Sequence, residues 1–365
     1  MQEVFVARHL VTGATGLVGG LLVLELLERD ADAEVLCLTR PRATLSAQER
    51  LLTALRDAAQ VYGRPTALRH VDRRCTAVPG DLAQVTDSAV TGRLGAVDHV
   101  WHSAASLAFE DEARDDIMRI NVEGTRNLAD LAQRLHVLTF NHISTAYVAG
   151  QRVGEIPATT VDPDRVRSNN LYEHSKVLGE QIVTGSEFAT LRILRPSVVV
   201  GHSSTLGATS FSGLYGVVRI LLALRARDPQ GFSQPLRIRA NPHALLNLVP
   251  VDIVVRACVD IHDAHAPSGV YHLANTIQAG TQDTLNAITD RIAMPRLSLV
   301  DSADGFSEAE QRLDNAFTFY RPYLNATRNF DLTSTMRHST SRLAVPLPPE
   351  RLTDYIDWYL STLRR

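Results

Sequence analysis

The chain of 365 residues is 45% hydrophobic and 21% charged, enough apolar material for one large or two ordinary packed domains, and this excludes a disordered chain. Its formal charge of -3, from 37 Lys+Arg against 40 Asp+Glu, excludes a protein built mainly to hold nucleic acid or an anionic membrane. The longest apolar stretch, Leu17 to Leu27, is too short to span a bilayer, so a soluble, cytoplasmic protein is expected.

Along the chain, short apolar or β-branched runs alternate with helical patterns. Strands are predicted at His9–Thr12, Glu34–Thr39, Cys75–Val78, Val97–His102, Val137–Ser144 and Ala189–Leu194. Helices are predicted between them at Leu17–Arg29, Leu45–Tyr62, Ala113–Leu135 and Leu171–Thr184. This alternation predicts an α/β fold, a doubly wound parallel sheet of the Rossmann type. After Pro196 the rhythm breaks: Gly, Ser and Pro accumulate through 201–213 and 228–243, around an amphipathic segment at Leu214–Arg227. A helix-like run at Val251–Ile261 and a strand-like Val270–Leu273 look able to rejoin the first domain, and an amphipathic helix, Pro349–Leu363, ends the chain. The expected organisation is a nucleotide-binding domain over 1–200, rejoined by 246–275. A smaller, non-contiguous substrate lobe would come from 201–245 and 276–365.

The first strand runs into Val11-Thr12-Gly13-Ala14-Thr15-Gly16-Leu17-Val18-Gly19, which opens a predicted helix. In a dinucleotide site Gly13 would make the tight turn, Gly16 would let the backbone approach a pyrophosphate, and Gly19 would let the helix close on the sheet. The helix N-terminus would then offer N–H groups to that anion. Candidate contacts are Thr12, Gly13, Thr15, Gly16, Leu17 and Gly19. The second strand ends in Thr39-Arg40-Pro41-Arg42, where an NAD-selective site would carry Asp or Glu. Guanidinium groups there suit a 2′-phosphate, so NADPH is the expected cofactor, with Arg40 the first contact and Arg42 the second. The alternative is that both arginines are merely solvated. Gly80-Asp81-Leu82 follows the third strand, where Asp81 and Leu82 could border the adenine, or Asp81 could simply serve a turn.

Of the 37 basic residues only Lys176 is lysine. It stands four residues after Tyr172, on one face of a predicted helix. An ammonium beside a phenol favours the phenolate, so the expectation is a Tyr172 with lowered pKa, ready for acid–base work, and a Lys176 that also donates to the nicotinamide ribose. Upstream, His142-Ile143-Ser144-Thr145-Ala146-Tyr147-Val148 ends the fifth strand, where a hydroxyl faces the same crevice. Thr145 could stabilise charge developing on a substrate carbonyl. Ser144 is the alternative, and one of the two is expected to satisfy backbone groups.

With these residues in place the chain resembles the extended short-chain dehydrogenase/reductases. The matching segments are T-G-A-T-G-L-V-G-G, H-S-A-A (His102–Ala105), N-V-E-G-T (Asn121–Thr125), S-T-A-Y-V, Y-E-H-S-K (Tyr172–Lys176), L-R-P-S-V-V-V-G (Leu194–Gly201) and V-P-V-D (Val249–Asp252), over roughly 9–275. S-T-A-Y-V, L-R-P-S and the arginine after the second strand most resemble the thioester-reductase branch. That branch includes terminal reductase domains of nonribosomal peptide and polyketide synthases, carboxylic acid reductases and fatty acyl reductases. The resemblance implies an oxidoreductase of natural product biosynthesis or a related acyl reductase. It would perform NADPH-dependent reductive release of an acyl or peptidyl thioester as an aldehyde or, after a second reduction, as the alcohol. The implied triad is Thr145, Tyr172 and Lys176, and the resemblance adds Ala104, Ala105, Pro196 and Ser197 to the cofactor positions. The implied partner is an acyl or peptidyl carrier protein with its phosphopantetheine arm, or acyl-CoA. Leu171 and Val177 depart from the branch, which often has Gly before the tyrosine and an aromatic after the lysine. Residues 280–365 match nothing that carries over, and a discrete enzyme acting in trans, or an excised domain, is the expectation.

Two rival readings are an NDP-sugar epimerase, dehydratase or hydroxysteroid-type dehydrogenase of the same extended family, and a non-catalytic NADPH-binding regulator. The first commonly keeps an acidic residue after the second strand, and the second tends to lose the Tyr-Lys pair. Arg219, Arg225 and Arg227, with Arg237 and Arg239, form a local basic cluster relieved in sequence only by Asp228. It could receive a phosphopantetheine phosphate or an acidic carrier surface, or be a solvated helix face. The three cysteines, Cys37, Cys75 and Cys258, form no C-x-x-C pair, so neither a disulfide framework nor a zinc cluster is expected. No metal is expected either: His262 and His265 approach ligand spacing without a third ligand and read as surface residues.

Overall fold

The computed structural model describes residues 6–42, 44–107 and 113–364. Its centre is a seven-stranded parallel sheet: β1 (Arg8–Thr12), β2 (Glu34–Thr39), β3 (Cys75–Pro79), β4 (His99–His102), β5 (Thr139–Ile143), β6 (Thr190–Pro196) and β7 (Gly269–Leu273). The spatial order is β7-β6-β5-β4-β1-β2-β3. Strand order therefore reverses between β1 and β4, and a crevice opens there beyond the carboxyl ends of the strands. Apolar runs such as Val35-Leu36-Cys37-Leu38 are buried on both faces, as a parallel sheet covered by helices requires.

On one face lie α1 (Leu17–Arg29), α2 (Ala47–Val61) and α6 (Val251–Asp263), whose side chains share a core with Val11, Val35 and Trp101. On the other lie α3 (Gly124–Arg134) and α4 (Leu171–Thr184), packed with Leu10, Leu36 and Phe140. A second apolar cluster draws from 200–248 and 279–359. It is built by α5 (Leu214–Arg227), α7 (Thr281–Arg291), α8 (Glu308–Ala316) and α9 (Pro349–Thr362). Among the described residues no helix is long and apolar enough to cross a membrane.

Two expectations need correction. The helix predicted over Ala113–Leu135 is broken by a π-helical turn at Arg119–Glu123. Its cause is local: the buried Asn121 side chain accepts from Ser106 N (2.7 Å) and donates to Ser106 O (3.0 Å) and Ser175 Oγ (2.9 Å). Such bulges re-aim a side chain at little cost to the helix. Secondly, His262 is not a surface residue. Its ring packs edge-on to His99 at 4.6 Å and lies 5.1 Å from the fully buried Trp101, and burial lowers its pKa to about 2. It sits on the apolar face of α6, where neutral imidazole behaves as a core side chain.

One buried ion pair ties α4 to the sheet. Arg195 on β6 forks onto Glu180 at 2.8 and 2.6 Å and donates to Thr159 O at 2.9 Å. Removing one partner strands a buried charge, so Glu180→Ala is expected to lower unfolding free energy by about 3–5 kcal/mol in urea titration. Replacing both residues together by apolar ones of similar volume should cost far less.

Candidate active site

The crevice between β1 and β4 is entered by the first glycine turn. Gly13 adopts φ +77°, and Gly16 N–H closes the turn on Gly13 O at 2.9 Å. A Cβ on Gly13 would lie 2.6 Å from Ala104 N, and one on Gly19 would lie 2.2 Å from Gly13 O, so neither position admits a side chain. Gly16 is the N-cap of α1 and no side chain among the described residues caps it, which leaves the helix end open to an anion.

Thirteen of the fifteen expected cofactor positions line one cavity of about 600 Å³: Gly13, Thr15, Gly16, Leu17, Gly19, Arg40, Asp81, Leu82, Ala104, Ala105, Lys176, Pro196 and Ser197. Thr145 and Tyr172 line it too. Thr12 does not; it is buried behind the turn, where its hydroxyl accepts from Ala104 N–H at 3.2 Å. Arg42 also stays outside, exposed, with its backbone bridged to Leu45. In its place Arg50, from α2, reaches the cavity beside Arg40 and donates to Arg40 O at 2.7 Å. Burial, then the guanidinium groups of Arg42 and Arg40, lower the Arg50 pKa. Arg50 has no acidic partner among the described residues and Arg40 only a long contact with Asp81, and positive charge so placed suits a phosphate. Asp81 caps the Leu82–Gln84 turn through Ala83 N–H (3.0 Å) and lies 3.5 Å from Arg40, so its turn role is real.

Behind the cavity wall runs a buried hydrogen-bonded chain. Thr125 gives its hydroxyl proton to Asn121 O (2.7 Å) and so accepts from His102 Nε2 (2.9 Å). His102 Nδ1 in turn accepts from Thr12 at 2.8 Å. Burial, with the Lys176 charge second, lowers the His102 pKa to about 3, so the ring is neutral. Asn121 continues the chain to Ser175, which donates to Tyr172 O at 2.7 Å. The glycine turn and the Tyr-Lys helix are thus held by one network.

Tyr172 lies in the first turn of α4, which Asn170 caps, and Lys176 follows one turn later. No hydrogen bond joins the two side chains among the described residues. Lys176 Nζ instead donates to Ile143 O at 2.8 Å, which leaves two of its N–H donors. The phenol is not lowered as the sequence suggests: burial, then the Glu173 charge, raise its pKa. Burial lowers the Lys176 pKa to about 8, partly opposed by Glu180. Desolvation disfavours both charged forms and is the largest cause of each shift. Of the two hydroxyls at the end of β5, Thr145 accepts from Tyr147 N–H at 3.2 Å, while the buried Ser144 Oγ has no partner among the described residues. Thr145 is therefore the one that serves the backbone, and its own proton remains available to the cavity.

Past these groups the cavity continues into the second apolar cluster, bounded by Leu214, Val217, Leu285, Ile288, Phe319 and Leu324. The basic cluster is smaller than the sequence suggests. Arg237 pairs with Glu310 at 2.7 Å and Arg239 pairs with Asp314, both carboxylates belonging to α8. Of the five arginines only Arg219, Arg225 and Arg227 have no acidic partner among the described residues. No group of His, Cys, Asp or Glu among the described residues could hold a metal.

The male sterility protein family profile matches residues 11–258. The chain is 28% identical over 306 residues to fatty acyl-CoA reductase 2 of Homo sapiens, covering 73% of this chain and 57% of that protein. It is 30% identical over 296 residues to the isonitrile lipopeptide synthase of Mycobacterium tuberculosis, covering 73% of this chain and 11% of that protein. The terminal R domain from the myxalamid PKS-NRPS biosynthetic pathway superposes with a TM-score of 0.73 at 22% identity, covering 99% of this chain and 92% of that one; it shares the fold. The chain spans little more than half the length of the fatty acyl-CoA reductase it matches. It belongs to the male sterility protein family, in the thioester-reductase branch of the extended short-chain dehydrogenase/reductases.

Burial of Lys176 makes a prediction about stability. The folded ammonium loses its proton near pH 8 and the unfolded one near 10.5, so between them the unfolded chain holds more protons and stability rises with pH. The stability of the wild type relative to Lys176→Met is expected to climb over that window by up to about 3 kcal/mol. Urea unfolding of both proteins at a series of pH values measures it, and a flat difference would mean that the ammonium is hydrated.

Proposed function

We propose that the protein is an NADPH-dependent oxidoreductase that reduces an acyl thioester and releases an aldehyde. The observation that carries this reading is the meeting, in one cavity, of the glycine turn, the Thr145–Tyr172–Lys176 group and an apolar extension. In this reading 1–200 with 246–275 hold the cofactor, and 201–245 with 276–365 hold the acyl group. The turn from Gly13 to Gly19 takes the pyrophosphate, Arg40 and Arg50 take the 2′-phosphate, and the two remaining Lys176 donors take the ribose hydroxyls. Ala104, Ala105, Pro196 and Ser197 flank the rings. When bound, the reduced nicotinamide supplies a hydride to the carbonyl carbon.

Everything else falls to side chains of this chain. Thr145, with Ser144 beside it, and Tyr172 donate to the carbonyl oxygen as negative charge grows on it. Because burial raises its pKa, Tyr172 is protonated at neutral pH and enters the step as a general acid. The resulting hemithioacetal loses its hydroxyl proton, the C–S bond breaks, and the leaving sulfur takes up a proton as free thiol. The aldehyde formed could accept a second hydride and leave as the alcohol. The thiol component is a phosphopantetheine arm, on a carrier protein or in coenzyme A. Arg219, Arg225 and Arg227 on the exposed side of α5 offer its phosphate, or an acidic carrier surface, a counter-charge.

The test is NADPH oxidation against a panel of acyl thioesters, with products identified by mass spectrometry. Tyr172→Phe is expected to lower kcat by about 10²- to 10⁴-fold, and a variant that turns over as fast as the parent removes the mechanism. Replacing Arg40 and Arg50 by Ala should raise KM for NADPH by roughly 10- to 100-fold with little change for NADH. Equal losses for the two cofactors would place the 2′-phosphate elsewhere.

A further inference from the structure

We infer that Gly216 and Tyr320 together set the length of acyl chain the site accepts; the inference rests on the thioester-reductase reading and names its substrate as an aliphatic acyl chain. Beyond the catalytic hydroxyls the cavity runs between α5 and α7 to the segment 319–324. Its lining there is Leu214 and Val217 from α5, Leu285 and Ile288 from α7, and Phe319 and Leu324. No ionisable group other than tyrosine hydroxyls lines this arm among the described residues, so each methylene that enters it gains about 0.8 kcal/mol of transfer free energy and a charged chain gains nothing.

Tyr320 is part of the same wall, and its position depends on a missing side chain opposite. Its hydroxyl lies in a notch over Gly216 in the first turn of α5: a Cβ there would stand 2.1 Å from Tyr320 Oη and 3.3 Å from Cζ. Real Cβ atoms do not come so close, so any side chain at 216 must move the phenol. Elsewhere the ring is packed, edge-on to Phe319 at 5.0 Å and 6.2 Å from the buried Phe317. Interiors packed at crystal density give no room on those sides, so the displaced ring turns into the cavity. The notch keeps the arm open, and Tyr320 is its movable stop.

Calorimetric titration of the full chain with short, medium and long straight-chain acyl-CoA thioesters reads the effect without turnover, and steady-state reduction of the same series reads it with turnover. Gly216→Ala is expected to weaken binding of the long chains by about 10- to 50-fold, the equivalent of two or three methylenes left outside, and to spare the short ones. Tyr320→Ala should shift the preference to longer chains, Tyr320→Phe should leave the profile as it is, and adding Tyr320→Ala to Gly216→Ala should restore the long chains. Where Gly216→Ala does not fold, Tyr320→Ala decides alone. Losses equal at every chain length, or a Tyr320→Ala profile identical to the parent's, overturn the inference. Chain-length-dependent binding without reduction of any thioester would retire the proposed reaction and keep the notch.

Discussion

The site depends on a buried line of hydrogen bonds that begins at Thr12, passes through His102, Thr125, Asn121 and Ser175, and ends at the Tyr172 carbonyl. Each member is buried or nearly so, and each must keep its partner, because an unpaired polar group in that interior costs more than the bond is worth. The line fixes β1 against β4, β4 against α3, and α3 against α4. Its demand on Asn121 also explains the π-helical turn: a regular helix would carry that amide past Ser106 and Ser175. The glycine turn and the Tyr-Lys helix come from residues more than 150 positions apart, yet neither can shift without breaking the same chain.

Inside that frame two electrostatic effects oppose each other at Tyr172 and Lys176. Sequence spacing alone suggests that the ammonium wins and the phenol is acidic. The structure reverses this: Lys176 is buried and its ammonium donates to Ile143 O, and burial with the Glu173 charge raises the Tyr172 pKa. A protonated phenol and an easily neutralised lysine suit a step that delivers a proton to an oxygen, rather than one that removes a proton from an alcohol. The direction of the proposed reaction therefore agrees with the site's own desolvation.

Much of this was legible from residues close together in the chain. Helices α1, α4 and α5 and strand β2 start and stop where expected, because glycine, asparagine capping and continuous apolar runs act locally. The glycine turn and the Tyr-Lys pair were likewise legible, each within one element and its entry turn. What escaped depends on partners distant in sequence. Arg50 reaches the cavity only because α2 packs beside the end of β2. Arg237 and Arg239 read as a free basic patch until α8, some seventy residues later, brings Glu310 and Asp314 against them. His262 faces inward because α6 covers Trp101. The apolar arm is assembled from three segments whose patterns look alike until they are packed.

The lone lysine can now be given a physical reason. Other buried basic positions hold arginine where a planar fork meets planar or multiple acceptors: Arg195 on Glu180 and Thr159 O, and Arg328 on the carbonyls of Gly150, Pro322 and Ala326. At 176 the acceptor among the described residues is a single carbonyl, and the remaining donors point into space that a cofactor must share. A guanidinium there would keep its charge under any condition and leave most of its five N–H groups buried and unpaired. An ammonium is compact, turns its three donors freely, and with a pKa near 8 gives up its charge far more cheaply when the cavity dries. Whatever bias turned the other basic positions to arginine, this position resists it for reasons of shape and proton affinity, and those are the properties the proposed chemistry draws on.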